Sequence, residues 1–97
     1  MSETVQAGQR LDIWLWYARF FKTRARATSY VSGKGVRISR AGQTRRTDKP
    51  GTRVQSGDVL TFYQARVIRV MQVQALGDRR GPAEEARALY TLMSVET

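Results

Sequence analysis

Apolar residues recur at helical spacing near the start of the chain. The set with i, i+3, i+4, i+7 spacing is Leu11, Trp14, Leu15 and Ala18. It predicts a helix that begins at Leu11 and buries one face. Thr23 then suits the N-cap of a second helix. The apolar residues of that helix are Ala27, Tyr30 and Val31, and Gly33 and Gly35 are expected to end it. Few residues separate the two helices, so we expect a compact helix pair.

Beyond Gly35 the apolar period changes from helical to alternating. Val36 and Ile38 alternate with polar residues and predict a strand. Residues 40–51 are polar and basic, with glycine and proline as breakers, and we interpret them as a loop or an irregular hairpin. After a turn over 55–58, further strands are predicted for 59–63 and 66–73. The last strand is apolar on both alternations, which leaves its buried face open.

The C-terminal part predicts one more helix. Pro82 suits its first turn. The apolar stripe of this helix would be Ala86, Leu89, Tyr90 and Met93. The predicted fold class is therefore α+β, a helix pair packed on a small, mostly antiparallel sheet with a C-terminal helix. We expect residues 1–9 to form a flexible tail and residues 10–93 to form a single domain.

Composition narrows the chemistry. The chain has 97 residues, enough for one domain, and contains neither Cys nor His. This removes thiol nucleophiles, the usual zinc ligand sets and the commonest general base. We expect no catalytic residue, no metal, no cofactor and no small-molecule substrate, and hence no enzyme. No secretory signal and no apolar run of membrane-spanning length is visible, so we expect a cytoplasmic protein that does not contact a membrane.

The charge is concentrated in one stretch. Of the net charge of +9, all falls within residues 10–50, where eleven cations face two acids, Asp12 and Asp48. Elsewhere six cations balance six acids. Such asymmetry is typical of a surface that binds a polyanion, although a generally basic, solvated protein is the alternative. The candidate RNA-binding residues are Arg10, Arg19, Lys22, Thr23, Arg24, Arg26, Lys34, Arg37, Arg40, Arg45, Arg46 and Lys49.

The N-terminus of the second helix is the first candidate phosphate site. With Thr23 as N-cap, Arg24 and Arg26 fall in the first turn, where cations oppose the helix dipole at about 0.3–1 kcal/mol each. Free N–H groups flanked by cations suit a phosphate. Solvated arginines beside an ordinary cap are the alternative.

The cations from Lys34 to Lys49 are the second candidate group. Arg37 is expected to point away from the face of Val36 and Ile38, and the cations of the following loop would extend the same basic strip. For Arg45 and Arg46 a charged loop that keeps the chain soluble is an equal alternative.

The aromatic residues and the acids near the helix pair have structural interpretations. Trp14 fits the core, and so do Phe20 and Phe21. Trp16 either stacks on a base or packs beneath the C-terminal helix. Asp12 has no partner for catalysis and is expected to pair with a neighbouring arginine. The Asp58 carboxylate is interpreted as turn chemistry.

Several of these motifs resemble a known family. The run Arg10-Leu11-Asp12-x-Trp14-Leu15-Trp16-x-Ala18-Arg19-Phe20-Phe21-Lys22-Thr23-Arg24 resembles the start of the alpha-L RNA-binding module, first known from small-subunit ribosomal protein S-four. More narrowly it resembles the bacterial heat-shock protein 15 family. The match continues in Gly33-x-x-Val36-Arg37, Lys49-Pro50, Gly57-Asp58-Val59-Leu60 and the stretch from Leu76 to Ala86 with Leu89-Tyr90.

The resemblance implies a function as well as a fold. It implies that the second helix and the adjoining strand and loop bind structured RNA. It further implies binding to free large ribosomal subunits that carry a nascent chain on transfer RNA, in the recycling of stalled subunits. This sequence departs from the family by having Ser39 and Arg40 where members usually have Asn, often followed by Gly, and by a longer stretch before Lys49. Some members also have a long basic C-terminal extension, and we expect this chain to differ from them in that respect.

Two other functions compete with stand-alone RNA binding. The same module occurs in RNA-modifying enzymes such as pseudouridine synthases, so the chain could be a targeting piece of such a system. Two short helices with basic residues can also imitate a DNA-binding helix-turn-helix. The partners we expect are ribosomal RNA or the large ribosomal subunit, with transfer RNA as a further candidate, and the chain is expected to be a monomer.

Overall fold

A computed structural model describes residues 8–93 of the chain. Seven strands and three helices lie in these residues, and they follow one another as β1 (Gln9–Arg10), α1 (Leu11–Tyr17), α2 (Arg24–Lys34), β2 (Val36–Arg40), β3 (Gln43–Thr47), β4 (Arg53–Val54), β5 (Val59–Gln64), β6 (Val67–Val73), α3 (Ala83–Arg87) and β7 (Tyr90–Leu92).

The strands form one main sheet and one short pair. The main sheet has five antiparallel strands in the order β3-β2-β5-β6-β7, and β1 pairs with β4 outside it. In the sheet Ile38 is opposite Leu60, and Leu60 is opposite Met71, so one buried row crosses three strands. Met71 and Val73 therefore identify the buried face of β6, which the sequence leaves open. The α+β class, with a helix pair and an antiparallel sheet, is confirmed.

A single core joins the helix pair to the sheet. Leu11, Trp14 and Leu15 of α1 and Ala27 and Val31 of α2 are buried in one cluster with the inward side chains of the sheet. The Trp14 indole, fully buried, donates from Nε1 to the backbone oxygen of Ala75 at 3.0 Å, so its polar atom is satisfied.

Aromatic rings extend this core below α2. Phe20 lies 5.7 Å from Phe62 and 4.7 Å from Tyr90, measured between ring centroids. Phe21 lies 5.5 Å from Tyr30 and 6.1 Å from Phe62. The interpretation of Phe20 and Phe21 as core residues is confirmed. Their rings fix the connection between α1 and α2 against β5.

The segment interpreted as a loop or irregular hairpin contains a regular strand. All five residues of β3 pair with β2, and Ala41 and Gly42 connect the two strands with φ of 54° and 79°. Two positive φ values are typical of the type I′ turn, whose twist matches that of an antiparallel hairpin. Because β3 is polar on both faces, it has no alternation of hydrophobicity that could reveal it.

The predicted C-terminal helix is much shorter than expected. It ends at Arg87, and Tyr90, which was expected on its apolar stripe, begins the edge strand β7 beside β6. The backbone groups along the edge of β6 need partners, and β7 supplies them. A five-residue helix offers too few internal bonds to compete.

The other boundaries are close to the predictions. Gly33 lies inside α2, and Gly35, at φ 82°, ends it. Residues 1–7 of the expected tail lie outside the described part of the chain, while Gln9 already pairs with Val54 in β1, one residue before the expected start of the domain. Within residues 8–93, none of the helices has the length and apolarity that crossing a membrane requires.

Candidate nucleic-acid interface

The N-terminus of α2 is built as the sequence predicts. The Thr23 hydroxyl accepts a hydrogen bond from the backbone N–H of Arg26 at 3.1 Å, which confirms Thr23 as the N-cap. Arg24 and Arg26 are exposed in the first turn, which contains no acid. This end of the helix therefore presents N–H groups flanked by two guanidinium groups, which point to different sides of the helix because they are two residues apart.

Beneath that end lies a buried carboxylate, Asp12. It accepts hydrogen bonds from Arg10 Nε and Nη2, both at 3.0 Å, from the Thr28 hydroxyl at 2.8 Å and from the backbone N–H of Ile13 at 2.9 Å. Arg24 Nε lies 3.9 Å from the same carboxylate. The expectation that Asp12 pairs with a neighbouring arginine is confirmed.

These contacts also change the acidity of Asp12. Burial alone would raise the pKa of the carboxyl, but the hydrogen bonds from Arg10 and Thr28, the Arg10 charge and the Ile13 N–H together lower it below its ordinary value. The carboxylate in turn raises the pKa of Arg10. Arg10 and Arg24 keep 39% and 49% of their side-chain surface exposed, so Asp12 holds two guanidinium groups in place at the surface.

A second group of cations lies at the C-terminal end of α2 and on the outer face of the sheet, which is the face turned away from the core. Arg37 is directly opposite Arg46 on the β2–β3 ladder, and Arg46 Nη2 donates to the backbone oxygen of Lys34 at 3.0 Å. Like charges directly opposite one another destabilise a hairpin. Among residues 8–93 no carboxylate lies within ion-pair distance of these three cations to offset that repulsion.

This group continues along α2. Lys34 and Tyr30 line both an open cleft of about 350 Å³ beside Arg37 and Arg46 and a shallow groove along α2 that reaches Arg26. We call the surface formed by Arg26, Lys34, Arg37 and Arg46 the outer basic surface. It is continuous from the first turn of α2 to strand β3.

The remaining hairpin cations lie on the opposite face. Arg45 is aligned with the core residue Ile38, and Arg40 and Arg45 line a different cleft together with Arg53. The expectation that Arg40, Arg45 and Arg46 extend one strip is therefore wrong, because side chains alternate along β3 and send Arg45 and Arg46 to opposite faces. Arg53 lies outside the basic stretch, so charge counting did not identify it.

Arg40 is engaged inside the protein. Its guanidinium donates to both carboxylate oxygens of buried Asp58 at 2.8 and 2.7 Å and to the backbone oxygen of Arg53 at 3.2 Å. Asp58 also accepts from the backbone N–H of Gln55 at 2.9 Å, which agrees with its interpretation as turn chemistry. Arg40 thus neutralises an internal acid, although 43% of its side-chain surface remains exposed.

Three further candidates lie around the ends of α1. Arg19, at φ 69°, donates from Nε to the backbone oxygen of Gly81 at 2.8 Å and ties the helix connection to the loop before α3. Lys22 is exposed in the same connection. Lys49 is exposed in a turn whose Thr52 oxygen accepts from the Leu11 N–H at 2.8 Å, beside the start of α1.

Trp16 does not form an open platform for a base. Its ring is half-buried against the core and lies 5.6 Å from that of Tyr17. Packing, one of its two interpretations, is confirmed, but the neighbour is Tyr17. Within the described residues no group of three or more acidic side chains is arranged to hold a metal ion.

Comparisons with known proteins place this architecture. No family model matches the sequence. The chain is 41% identical to heat shock protein 15 of Escherichia coli K12 over 98 aligned positions, which cover 99% of this chain and 70% of that protein. It is 37% identical to the heat shock protein 15 homolog of Aeromonas salmonicida over 81 positions, 84% of this chain and 58% of the homolog.

The fold gives the same result. A trimeric structure of heat shock protein 15 from Vibrio cholerae matches with a TM-score of 0.76 and 36% identity, over 90% of this chain and 83% of that one. Sequence identity above 30% over nearly the whole chain and the same arrangement of helices and strands agree with the motifs from Arg10 to Arg24. The chain belongs to the heat shock protein 15 family.

Proposed function

We propose that this chain binds structured RNA through the outer basic surface and the N-terminus of α2. The observation that carries the proposal is the continuity of that surface from Arg26 through Lys34 to Arg37 and Arg46, with no carboxylate of the described residues at ion-pair distance. A phosphate backbone would offset the repulsion that these cations exert on one another. Recognition then rests on shape and phosphate contacts rather than on base edges.

The twelve candidate residues have different roles in this proposal. The exposed cations of the outer basic surface contact phosphates directly, and these are Arg26, Lys34, Arg37 and Arg46. Lys22, Arg45 and Lys49 are exposed outside that surface and add to the positive field that attracts RNA. Arg10 and Arg24 contact RNA from positions that Asp12 fixes. Arg19 and Arg40 mainly hold the fold, and Thr23 caps α2 by accepting from the Arg26 N–H.

The ribosomal context follows from the family resemblance. We extend the proposal to ribosomal RNA on free large subunits that carry a nascent chain on transfer RNA. The chain acts there as a cytoplasmic binding protein without catalysis. We propose that it acts as a monomer, because its net charge of +9 opposes self-association. The trimeric relative from Vibrio cholerae makes sedimentation velocity of this chain a direct test of that point.

Salt dependence tests the phosphate contacts. A fluorescent RNA hairpin is titrated with the chain at several salt concentrations. Neutralising four to six phosphates gives a slope of log K against log salt of roughly −3 to −5. The double variant Arg37→Gln, Arg46→Gln should bind more weakly and reduce the steepness by about two, one for each lost contact.

A matched control separates the surface from total charge. Arg87→Gln and Arg66→Gln together remove the same charge from exposed positions outside residues 10–50. This control should keep the wild-type slope. A slope near zero in the wild-type chain, or an equal loss in the control, would refute RNA binding through the outer basic surface.

Subunit binding tests the finer proposal. Co-sedimentation is measured with large subunits that carry a nascent chain on transfer RNA, with empty large subunits and with small subunits. We expect retention to be greatest on the first of these and weaker for the Arg37, Arg46 double variant. Equal retention on all three particles contradicts the ribosomal role and leaves RNA binding standing.

A further inference from the structure

Two apolar side chains stand exposed on the outer face of the sheet. Tyr63 and Ile68 are opposite each other near the end of the β5–β6 hairpin, with 57% and 48% of their surface accessible. Single exposed apolar residues are common, but an aromatic ring beside a β-branched side chain on one face forms a small flat platform. Such a platform suits the face of a planar ring system.

The platform borders the outer basic surface. Thr61 pairs with Arg37, and Tyr63 lies two residues further along β5 on the same face, roughly 7 Å away. Tyr63, Ile68, Arg37 and Arg46 line the same cleft of about 350 Å³. That volume lies near the lower end of the range for small-ligand sites, about 300–1,000 Å³. One wall of the cleft is thus apolar and the other is cationic.

The backbone beneath the platform is fixed without help from the Tyr63 ring. The Tyr63 N–H donates to the Tyr30 hydroxyl at 2.9 Å. The Tyr30 ring in turn packs against Phe62, with 5.9 Å between ring centroids. The Tyr63 ring can therefore contact a ligand without disturbing the core. Replacing Tyr63 should change ligand binding and leave the fold intact.

We propose that this cleft holds an unpaired nucleotide of the RNA that the chain binds, an inference that rests on the proposed function. The base stacks on Tyr63 with its edge against Ile68, and the adjoining phosphates contact Arg37 and Arg46. An aromatic face beside cations is the recurring chemistry of single-strand recognition. A second copy of the chain would bring a net charge of +9 against cations of the same sign, which disfavours it as occupant.

The test compares two RNA probes on the full chain. One is a blunt RNA hairpin, and the other is the same hairpin with a single-stranded oligouridine extension. The extended probe should bind the wild-type chain more tightly. Tyr63→Ser should remove that gain, about fivefold to 150-fold, because stacking on an aromatic residue is worth that much per base. Tyr63→Phe, which keeps the ring, should stay within about twofold of wild type.

A matched control comes from the same hairpin. Val67 is 51% exposed and pairs with Gln64, so it lies on the opposite face from Tyr63. Val67→Ser removes similar exposed apolar surface and should bind both probes as the wild type does. Circular dichroism and sedimentation velocity on every variant check its fold and its oligomeric state.

The outcomes separate this inference from the proposed function. Loss of affinity in Tyr63→Ser on the extended probe alone supports the nucleotide site. The inference is overturned if Tyr63→Ser binds both probes with wild-type affinity, or if it loses affinity equally for both. It is also overturned if the wild type is an oligomer that Tyr63→Ser dissociates. If the wild type binds both probes equally, the nucleotide site fails and RNA binding stands. If it binds neither, the proposed function fails as well.

Discussion

Replacing Asp12 by asparagine tests how the helix pair is held together. The side chain keeps its shape but loses its charge, and its amide nitrogen takes the place of one acceptor oxygen. In the wild type, Arg10 Nη2 and the Thr28 hydroxyl donate to one carboxylate oxygen, and the Ile13 N–H and Arg10 Nε donate to the other. If the remaining oxygen of the variant stays with Ile13 and Arg10 Nε, its new NH₂ group faces the two donors Arg10 Nη2 and Thr28. At least one strong hydrogen bond is therefore lost inside the protein.

The expected cost follows from the exposure of the partners. A hydrogen bond with a charged partner contributes about 1.5–3 kcal/mol. The side chains of Arg10 and Arg24 are 39% and 49% exposed, so water can satisfy them after the change and the cost stays in the lower half of that range. We expect Asp12→Asn to lower the free energy of unfolding by about 2 kcal/mol. For a domain of this size, Tm should fall by about 8–16 °C.

Urea denaturation of the wild type and two variants measures this effect. Asp48→Asn is the control, because Asp48 is exposed and the substitution changes the net charge equally. Its unfolding midpoint should lie close to that of the wild type. If Asp12→Asn and Asp48→Asn unfold at the same urea concentration, the carboxylate does not hold α1 to α2 and the reasoning is refuted.

The same variant should change the pH dependence of stability. The pKa of Asp12 is lower in the folded chain than its ordinary value of 3.8. The contribution of Asp12 to the free energy of unfolding is therefore fully present above its ordinary pKa and is lost as the pH falls through the lower pKa of the folded chain. As the pH falls below about 4, Asp12→Asn should therefore lose less unfolding free energy than the wild type. The Glu85 carboxyl, whose pKa Arg79 lowers, should account for part of the decrease that the variant still shows.

Three further substitutions follow from the structure. Gly35→Ala should destabilise the chain by about 1–3 kcal/mol in urea denaturation, since Gly35 has φ 82° and an added Cβ would lie 2.7 Å from the Arg46 guanidinium. Gly33→Ala should instead stabilise it by about 0.5–1 kcal/mol, because Gly33 is helical with open space around it. Arg40→Gln should lower stability by about 1–3 kcal/mol, since buried Asp58 loses its counter-ion, while the salt slope of RNA binding changes by less than one. A larger slope change would assign Arg40 to the RNA surface.

The elements that the sequence predicts are those that bury one regular face. Leu11, Trp14 and Leu15 identify α1 because only a helix places them together against the core. Strand β3 has no buried face and is held by its backbone ladder, so no hydrophobic pattern marks it. Strand β7 forms because β6 offers an unpaired edge, and that edge exists only after the sheet has folded.

The candidate site was predictable in composition but not in arrangement. Residues 10–50 contain all the net charge, and Thr23 marks the start of α2. The neutralisation of Arg40 depends on Asp58, which is 18 residues away and meets it only through the sheet. The outward position of Tyr63 follows from the register of β5, since an aromatic residue in an apolar strand is otherwise expected in the core.

The helix pair α1 and α2, of which α2 carries Arg26 and Lys34 of the outer basic surface, comes early in the chain but depends on its later part. Helix α1 has seven residues, too few to persist alone in water, and its Leu11 N–H and Trp14 indole are satisfied by the backbone oxygens of Thr52 and Ala75. During synthesis these partners are added several seconds after α1, at about 5–20 residues per second. An unfinished copy that ends before Ala75 therefore lacks the partners that hold α1 in place beside α2.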